Sequence, residues 1–356
     1  MNAAPPREQD DDLVLRASDG ARDPLADAPV APDASDAASA AGATGPSPEV
    51  NALLDAVPLL AGRGRTVTPL LGGLTNRNYR VSTAQGDYVA RLSSAESALL
   101  AIDRDVEHHN SCAAASSGVA PTVAGFLPGR GVLVIDWVQA RTWSAADVRI
   151  EENLPRLAAA CRQLHAGPRF VNDFDMFDVQ ERYLALVLER GFRLPPRYLE
   201  LMDEVGRIRL AMAAIPEPTV PCHNDLLAEN VLDDGGRLWL IDYEYSGNND
   251  PCFELGNIAS ESQLSDDQLA RLVGLYYGGS PSGPVAEREL AAKIARARLW
   301  AVMSQYGWTL WASIQDGISE LDFDFWSWGM EKYDRAVATF DSPEFARLLV
   351  DVQQPG

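Results

Sequence analysis

The sequence predicts an α+β protein of two lobes, β-rich in its first part and helix-rich in its second. Three observations predict it. Short runs rich in Val, Thr and Tyr, separated by Gly-containing turns, recur between 65 and 138 around one helix-like stretch. After Trp137 the apolar residues change to helical spacing. The chain has 356 residues and 46% hydrophobic content, enough for two cores with a cleft between them.

Taken in order, residues 1–48 are rich in Ala, Asp and Pro with few aromatics, and are expected to stay disordered. "SPEVNALLDAVPLLAG" predicts a helix opened by Ser47 and Pro48. "RTVTPLLGG", "NRNYRVSTA" and "DYVARLSS" predict strands, with hairpin signals at Gly72-Gly73 and Gly86-Asp87. A helix-like stretch, "SALLAIDRDVEHHNSCAAASSG", follows, and "PTVAGFLPGRGVLVIDWV" reads as two strands around a Pro-Gly-Arg-Gly turn. The first lobe is thus set at 49–136 and the second at 137–356. In the second, "EENLPRLAAACRQLHAG", "VQERYLALVLER" and "PPRYLELMDEVGRIRLAMAAI" carry helical spacing. Two short strands, "TVPCH" and "RLWLIDY", interrupt. From Phe253 the chain reads as helical to its end.

The formal net charge of −21 argues against nucleic acid as a partner, because phosphate backbones are bound by basic patches. It is compatible with a cationic substrate. No apolar run reaches the length of a membrane span, and the first 20 residues lack the basic start and apolar block of a signal peptide. Cys112, Cys161, Cys222 and Cys252 form no CxxC pair and read as free thiols in a reducing cytoplasm. His165 reads as a packed helix residue. His108 and His109 are adjacent on a helix and diverge, so no zinc site is evident.

The chemistry is concentrated in "CHNDLLAENVLDDGGRLWLIDYEY", residues 222–245. A carboxylate beside an apolar run costs several kcal/mol unless it is compensated. Here the set is ordered: His223-Asn224-Asp225, Asn230 five residues on, then Asp242 after an apolar strand. Phosphoryl transfer from ATP needs these residue types. One carboxylate orients the attacking hydroxyl and accepts its proton, while an amide and a second carboxylate hold magnesium against the phosphates.

"HNDLLAEN" followed by "LIDYEY" resembles the catalytic and metal-binding segments of choline and ethanolamine kinases. These are grouped with the aminoglycoside phosphotransferases on the protein-kinase-like fold. The resemblance covers most of the chain after about residue 49. It implies Asp225 as catalytic base, Asn230 and Asp242 as Mg2+ ligands, and ATP as phosphoryl donor. His223 is implied as a structural residue bonded to backbone near Asp242, and Glu244 as a supporting group behind the metal ligands. "LLGGLTNRNYRV" resembles the turn that covers the nucleotide, with Gly72 and Gly73 approaching the phosphates and Thr75 and Asn76 donating to them. It is not a P-loop, since no G-K-[ST] follows. Arg91 in "YVARL" stands on the third strand; the resemblance implies that it pairs with phosphate and with the helix residue Glu107 at the nucleotide site. Asp136 to Val138 fall where the family binds adenine with backbone groups.

Trp308 and Trp311 are three apart, on one helical face, and Tyr245 directly follows the metal strand. A quaternary ammonium has no N–H and is held by aromatic faces, each worth about 0.5–2 kcal/mol. Tyr245, Trp308 and Trp311 match the family's choline pocket, with Phe323 and Glu261 at further pocket positions. Trp300 reads as core, and Trp326 and Trp328 as packing or surface aromatics. Glu254 stands where the family commonly has Asp, and "SGNNDPCFELGNIA" looks bacterial rather than eukaryotic. The expected activity is ATP-dependent phosphorylation of choline or ethanolamine. The alternatives are an aminoglycoside-type phosphotransferase, which needs many carboxylates around its acceptor, and a non-catalytic nucleotide- or amine-binding module.

Overall fold

A computed structural model describes residues 46–62, 64–70, 76–93, 99–100, 102–278 and 285–354. Of the expected tail only residues 46–48 fall within that description. Gly72, Gly73 and Thr75 lie outside it. Helix α1 (Pro48–Asp55) begins where Ser47 caps it, its Oγ accepting from the Val50 amide at 3.3 Å. Five antiparallel strands follow: β1 (Thr66–Leu70), β2 (Asn76–Thr83), β3 (Gly86–Ser93), β4 (Val123–Leu127) and β5 (Val132–Asp136), in the order β1-β2-β3-β5-β4. Helix α2 (Arg104–Ser117) lies between β3 and β4 in sequence.

Side chains alternate along a strand. Tyr88, Ala90 and Leu92 of β3 therefore pack on one side with Val81, Val132, Val134 and the α1 residues Val50 and Leu54. Arg91, one step out of phase, is sent to the other side, toward α2 and the second lobe. Burying each Val or Leu of this set contributes about 1.5–3 kcal/mol.

The remaining elements are β6 (Arg141–Thr142), α3 (Ala145–Val148), α4 (Leu154–His165), α5 (Met176–Arg190), α6 (Met202–Ala213), β7 (Val220–Cys222), β8 (Val231–Asp233), β9 (Leu238–Leu240), β10 (Gly247–Asn249), α7 (Pro251–Ser262), α8 (Asp266–Gly278), α9 (Glu287–Ile318), α10 (Phe325–Phe340) and α11 (Pro343–Asp351). Helix α9, at about 1.5 Å per residue, is roughly 48 Å long. Helix α7 is buried along nearly its whole length. It lies so close to α9 that a Cβ on Gly256 would collide with the Ala297 carbonyl. Helix α10 also packs on α9. These helices share one apolar core, which also takes in Leu100, Ala114, Val119 and Ala120 from around α2.

The two-lobed α+β class stands as the sequence predicted, with local differences. In the second predicted helix run the helix begins at Arg104, where Asp103 caps it through bonds from the amides of Asp105 (2.9 Å) and Val106 (3.1 Å). "RLWLIDY" is a strand only over Leu238–Leu240, because Asp242 takes φ +70°, which ends extended backbone. Helix α7 starts at Pro251, capped by Asp250, rather than at Phe253. Strand β10 was not foreseen: Gly-Asn-Asn has low β-propensity, and it is extended because it pairs with β7. All four cysteines are free thiols; Cys112 is exposed and the other three are buried. No helix among the described residues is long and apolar enough to cross a membrane.

Candidate active site

The loop after β7 carries His223, Asn224 and Asp225, and it is held from beneath by α7. The two carboxylate oxygens of Glu254 accept from the amides of His223 (2.9 Å) and Asn224 (2.8 Å). One helical turn on, Asn257 Oδ1 accepts from the Leu226 amide at 2.8 Å. Burial alone would push the Glu254 carboxyl up. The bond and charge of the His165 ring, with His223 beside it, outweigh burial and hold it below the usual range. Asn224 sits at φ +66°, a conformation that Asn tolerates better than most residues. Its side-chain amide donates to the carbonyls of Tyr245 (3.1 Å) and Gly247 (3.3 Å), and its Oδ1 accepts from Asn249 at 2.9 Å. The residue between His223 and Asp225 thus staples the loop to the segment after Asp242.

Asp225 is half-buried. Loss of hydration, and after it the carboxylates of Glu261, Glu244 and Asp242, push its carboxyl well above the ordinary range, against the opposing charge of Lys332. Asn230 ends a short 3-10 turn and donates its amide to the Asp225 carbonyl at 2.9 Å. His223 Nε2 bonds to the Ile241 carbonyl at 2.7 Å, immediately before Asp242. Among the described residues no group of three His, Cys, Asp or Glu side chains forms a metal site.

Asp242 meets the first lobe through Arg91, which also pairs with Glu107 on α2. The pairing continues. Arg104 binds Glu107 (2.7 Å), Glu244 (3.1 Å) and the Asn76 side-chain oxygen (3.1 Å), and Asn76 donates to Glu244 at 3.0 Å. A chain of charge-assisted bonds thus runs from β2 and β3 through α2 to the segment after β9. Arg104 had no assigned role from the sequence; the signal available was its i,i+3 spacing from Glu107. Burial, ahead of the attraction of Glu244, holds its guanidinium below its usual range. Where β5 ends, the Asp136 amide is committed to the Thr122 carbonyl (2.9 Å) and the Trp137 amide to Asp87 (3.0 Å), with half-buried Val138 next. A ring docking at this join would not find the Asp136 amide free.

Close enough to Asp225 for its charge to act on Tyr245 lies an aromatic group. Tyr245 meets Trp308 edge-on at 4.9 Å between centroids, and Trp311 Nε1 donates to the Tyr245 hydroxyl at 2.9 Å. All three are buried. Phe323 stands further out: it is 37% exposed and touches Phe325 (4.8 Å), which in turn meets Trp311 (5.8 Å). Trp328, read from the sequence as a packing or surface aromatic, lies 5.6 Å from Trp311. Glu261 is buried and ion-paired with Lys332 of α10. Trp300 is core, its Nε1 bonded to Asp250 at 2.8 Å, and Trp326 lies under Arg193 at 3.8 Å.

The model of the phosphotransferase enzyme family matches residues 66–290 of the chain. A choline/ethanolamine kinase family protein from Mesorhizobium loti has a similar structure, with a TM-score of 0.73 and 33% identity over 86% of this chain and 98% of that one. Protein LicA of Haemophilus influenzae is 26% identical over 272 residues, 75% of this chain and 77% of LicA. Ethanolamine kinase 2 of Mus musculus is 27% identical over 260 residues, 66% of each chain.

Proposed function

The chain belongs to the phosphotransferase enzyme family and, within it, to the choline/ethanolamine kinase family, and from that premise we propose that it transfers the γ-phosphoryl group of ATP to the hydroxyl of choline, giving phosphocholine and ADP. The observation that carries the reading is the 2.9 Å bond from Trp311 to the Tyr245 hydroxyl. It holds aromatic faces three residues beyond Asp242 and beside Asp225. That combination suits a cation that carries a hydroxyl.

Asp225 orients the acceptor hydroxyl and takes its proton as the oxygen bonds to phosphorus and the bond from phosphorus to the bridging oxygen of ADP breaks. A raised carboxyl makes Asp225 a stronger base toward the acceptor hydroxyl. The residues fit magnesium. The NH2 of Asn230 is committed to the Asp225 carbonyl, which leaves its amide oxygen as a hard donor, and the Asp242 side chain is 31% exposed. Magnesium bound there would offset charge on the phosphates. Arg91, held by Glu107, stands where it can turn from Asp242 to phosphate. Asn76 would act with Gly73 and Thr75 of the preceding turn, and Asp136 to Val138 would border adenine. Tyr245, Trp308 and Trp311 would hold the trimethylammonium, with Phe323 at the rim.

An ADP-release assay with choline, ethanolamine and kanamycin in parallel tests the reading. Choline should give the highest kcat/KM. Turnover of kanamycin alone would overturn the proposal, and nucleotide binding without turnover of any of the three would point to a binding module.

A further inference from the structure

We propose that Lys332 sets the acceptor preference by masking Glu261, so that the site takes a fully substituted ammonium ahead of a primary amine. This rests on the amino-alcohol reading above. The resemblance set Glu261 at a further position of the acceptor pocket, where a carboxylate would attract a cation. In the structure its charge is already answered. The Lys332 ammonium bonds to Glu261 Oε2, and the two side chains are only 4% and 6% exposed. The other oxygen, Oε1, is buried without a hydrogen-bond partner among the described residues. Arg335, one turn along α10, adds a second positive charge acting on the same carboxylate.

The Lys332 ammonium also sits 4.1 Å from the centre of the Trp328 ring, and Trp328 packs on Trp311. A cation of this chain therefore occupies both the carboxylate and one aromatic face at the edge of the acceptor group. A primary ammonium carries three N–H donors and needs acceptors for them. A quaternary ammonium has none and needs only ring faces. With Glu261 covered, the aromatic side of the site offers rings and withholds its carboxylate. Tyr245, Trp308 and Trp311 serve the quaternary group, while the groups that would discriminate in favour of a primary amine are spent on Lys332.

The test is the ratio of kcat/KM for choline to that for ethanolamine. Lys332 also acts on Asp225, but an effect on the base is common to both acceptors and cancels in the ratio. Lys332→Met exposes Glu261 and should shift the ratio toward ethanolamine by about tenfold or more, since buried polar groups left unpaired discriminate strongly between donors and non-donors. Adding Glu261→Gln should return the ratio to near its starting value, because the gain works through the carboxylate. An unchanged ratio in Lys332→Met, or a shift that survives Glu261→Gln, would overturn the proposal. A measurement on the unaltered protein covers the case in which the variants do not fold. Calorimetric titration should find tetramethylammonium bound about tenfold more tightly than methylammonium, and equal affinities would overturn the mask. If neither choline nor ethanolamine is turned over by the unaltered protein, the amino-alcohol reading fails, and the two ammonium probes still decide whether Glu261 is covered.

Discussion

The loop that carries Asp225 is held by carboxylate and amide side chains of α7 bonding to its backbone, whereas the aromatic group beside it is held by rings of α9 and α10 packing on one another. The first arrangement fixes atoms by direction. Two amides converge on one buried carboxylate, and there is one geometry that satisfies both. The second fixes surfaces by volume and area, with a single directed bond, Trp311 to Tyr245. The half that must place charge within a fraction of an ångström is built from hydrogen bonds. The half that must present faces to a cation is built from packing. If that division is real, damage to α7 should disturb both substrates and damage to the rings only one.

The largest effect is expected at the reacting atoms. Asp225→Asn removes the proton acceptor and should lower kcat about 10²–10⁴-fold, with magnesium-ATP still bound in a nucleotide-binding assay. A variant within about tenfold of the original kcat would take Asp225 out of that role. Next is Glu254→Ala, which leaves the buried amides of His223 and Asn224 without their acceptor. At about 1–3 kcal/mol for each unpaired group, urea unfolding should report a loss of about 2–6 kcal/mol, and the KM values of both ATP and choline should rise. An unmoved unfolding midpoint would mean that α7 does not hold the loop. The smallest is Trp311→Phe, which keeps a ring but removes the donor to Tyr245. Choline KM should rise about 2–12-fold, the range that corresponds to about 0.5–1.5 kcal/mol for the lost hydrogen bond, with ATP KM unmoved. Equal rises for both substrates would make Trp311 a packing residue and erase the contrast between the two halves.

Much of this was legible in the chain itself, for a physical reason. Strand alternation, helical spacing and capping act over a few residues, so composition and period predicted the β-rich and helix-rich lobes, the α1 cap at Ser47, and Trp308 and Trp311 on one helix. The spacing of Asp225 and Asn230 is local as well, since one 3-10 turn joins them. What the sequence could not show is how distant segments divide charge among themselves. Glu254 reaches back 31 residues to His223, Glu261 meets Lys332 across 71, and Arg104 meets Glu244 across 140. The resemblance marked Glu244, Glu254 and Glu261 as family positions, but not their partners; only the packing of α7 under the loop and of α10 on α9 determines which becomes an anchor, which is masked and which ties the lobes together. The sequence by itself determined the elements and the ordered acids, because those depend on near neighbours. The tertiary structure alone decided the partners of each charge, because in a buried site a partner is chosen by the fold and not by proximity along the chain.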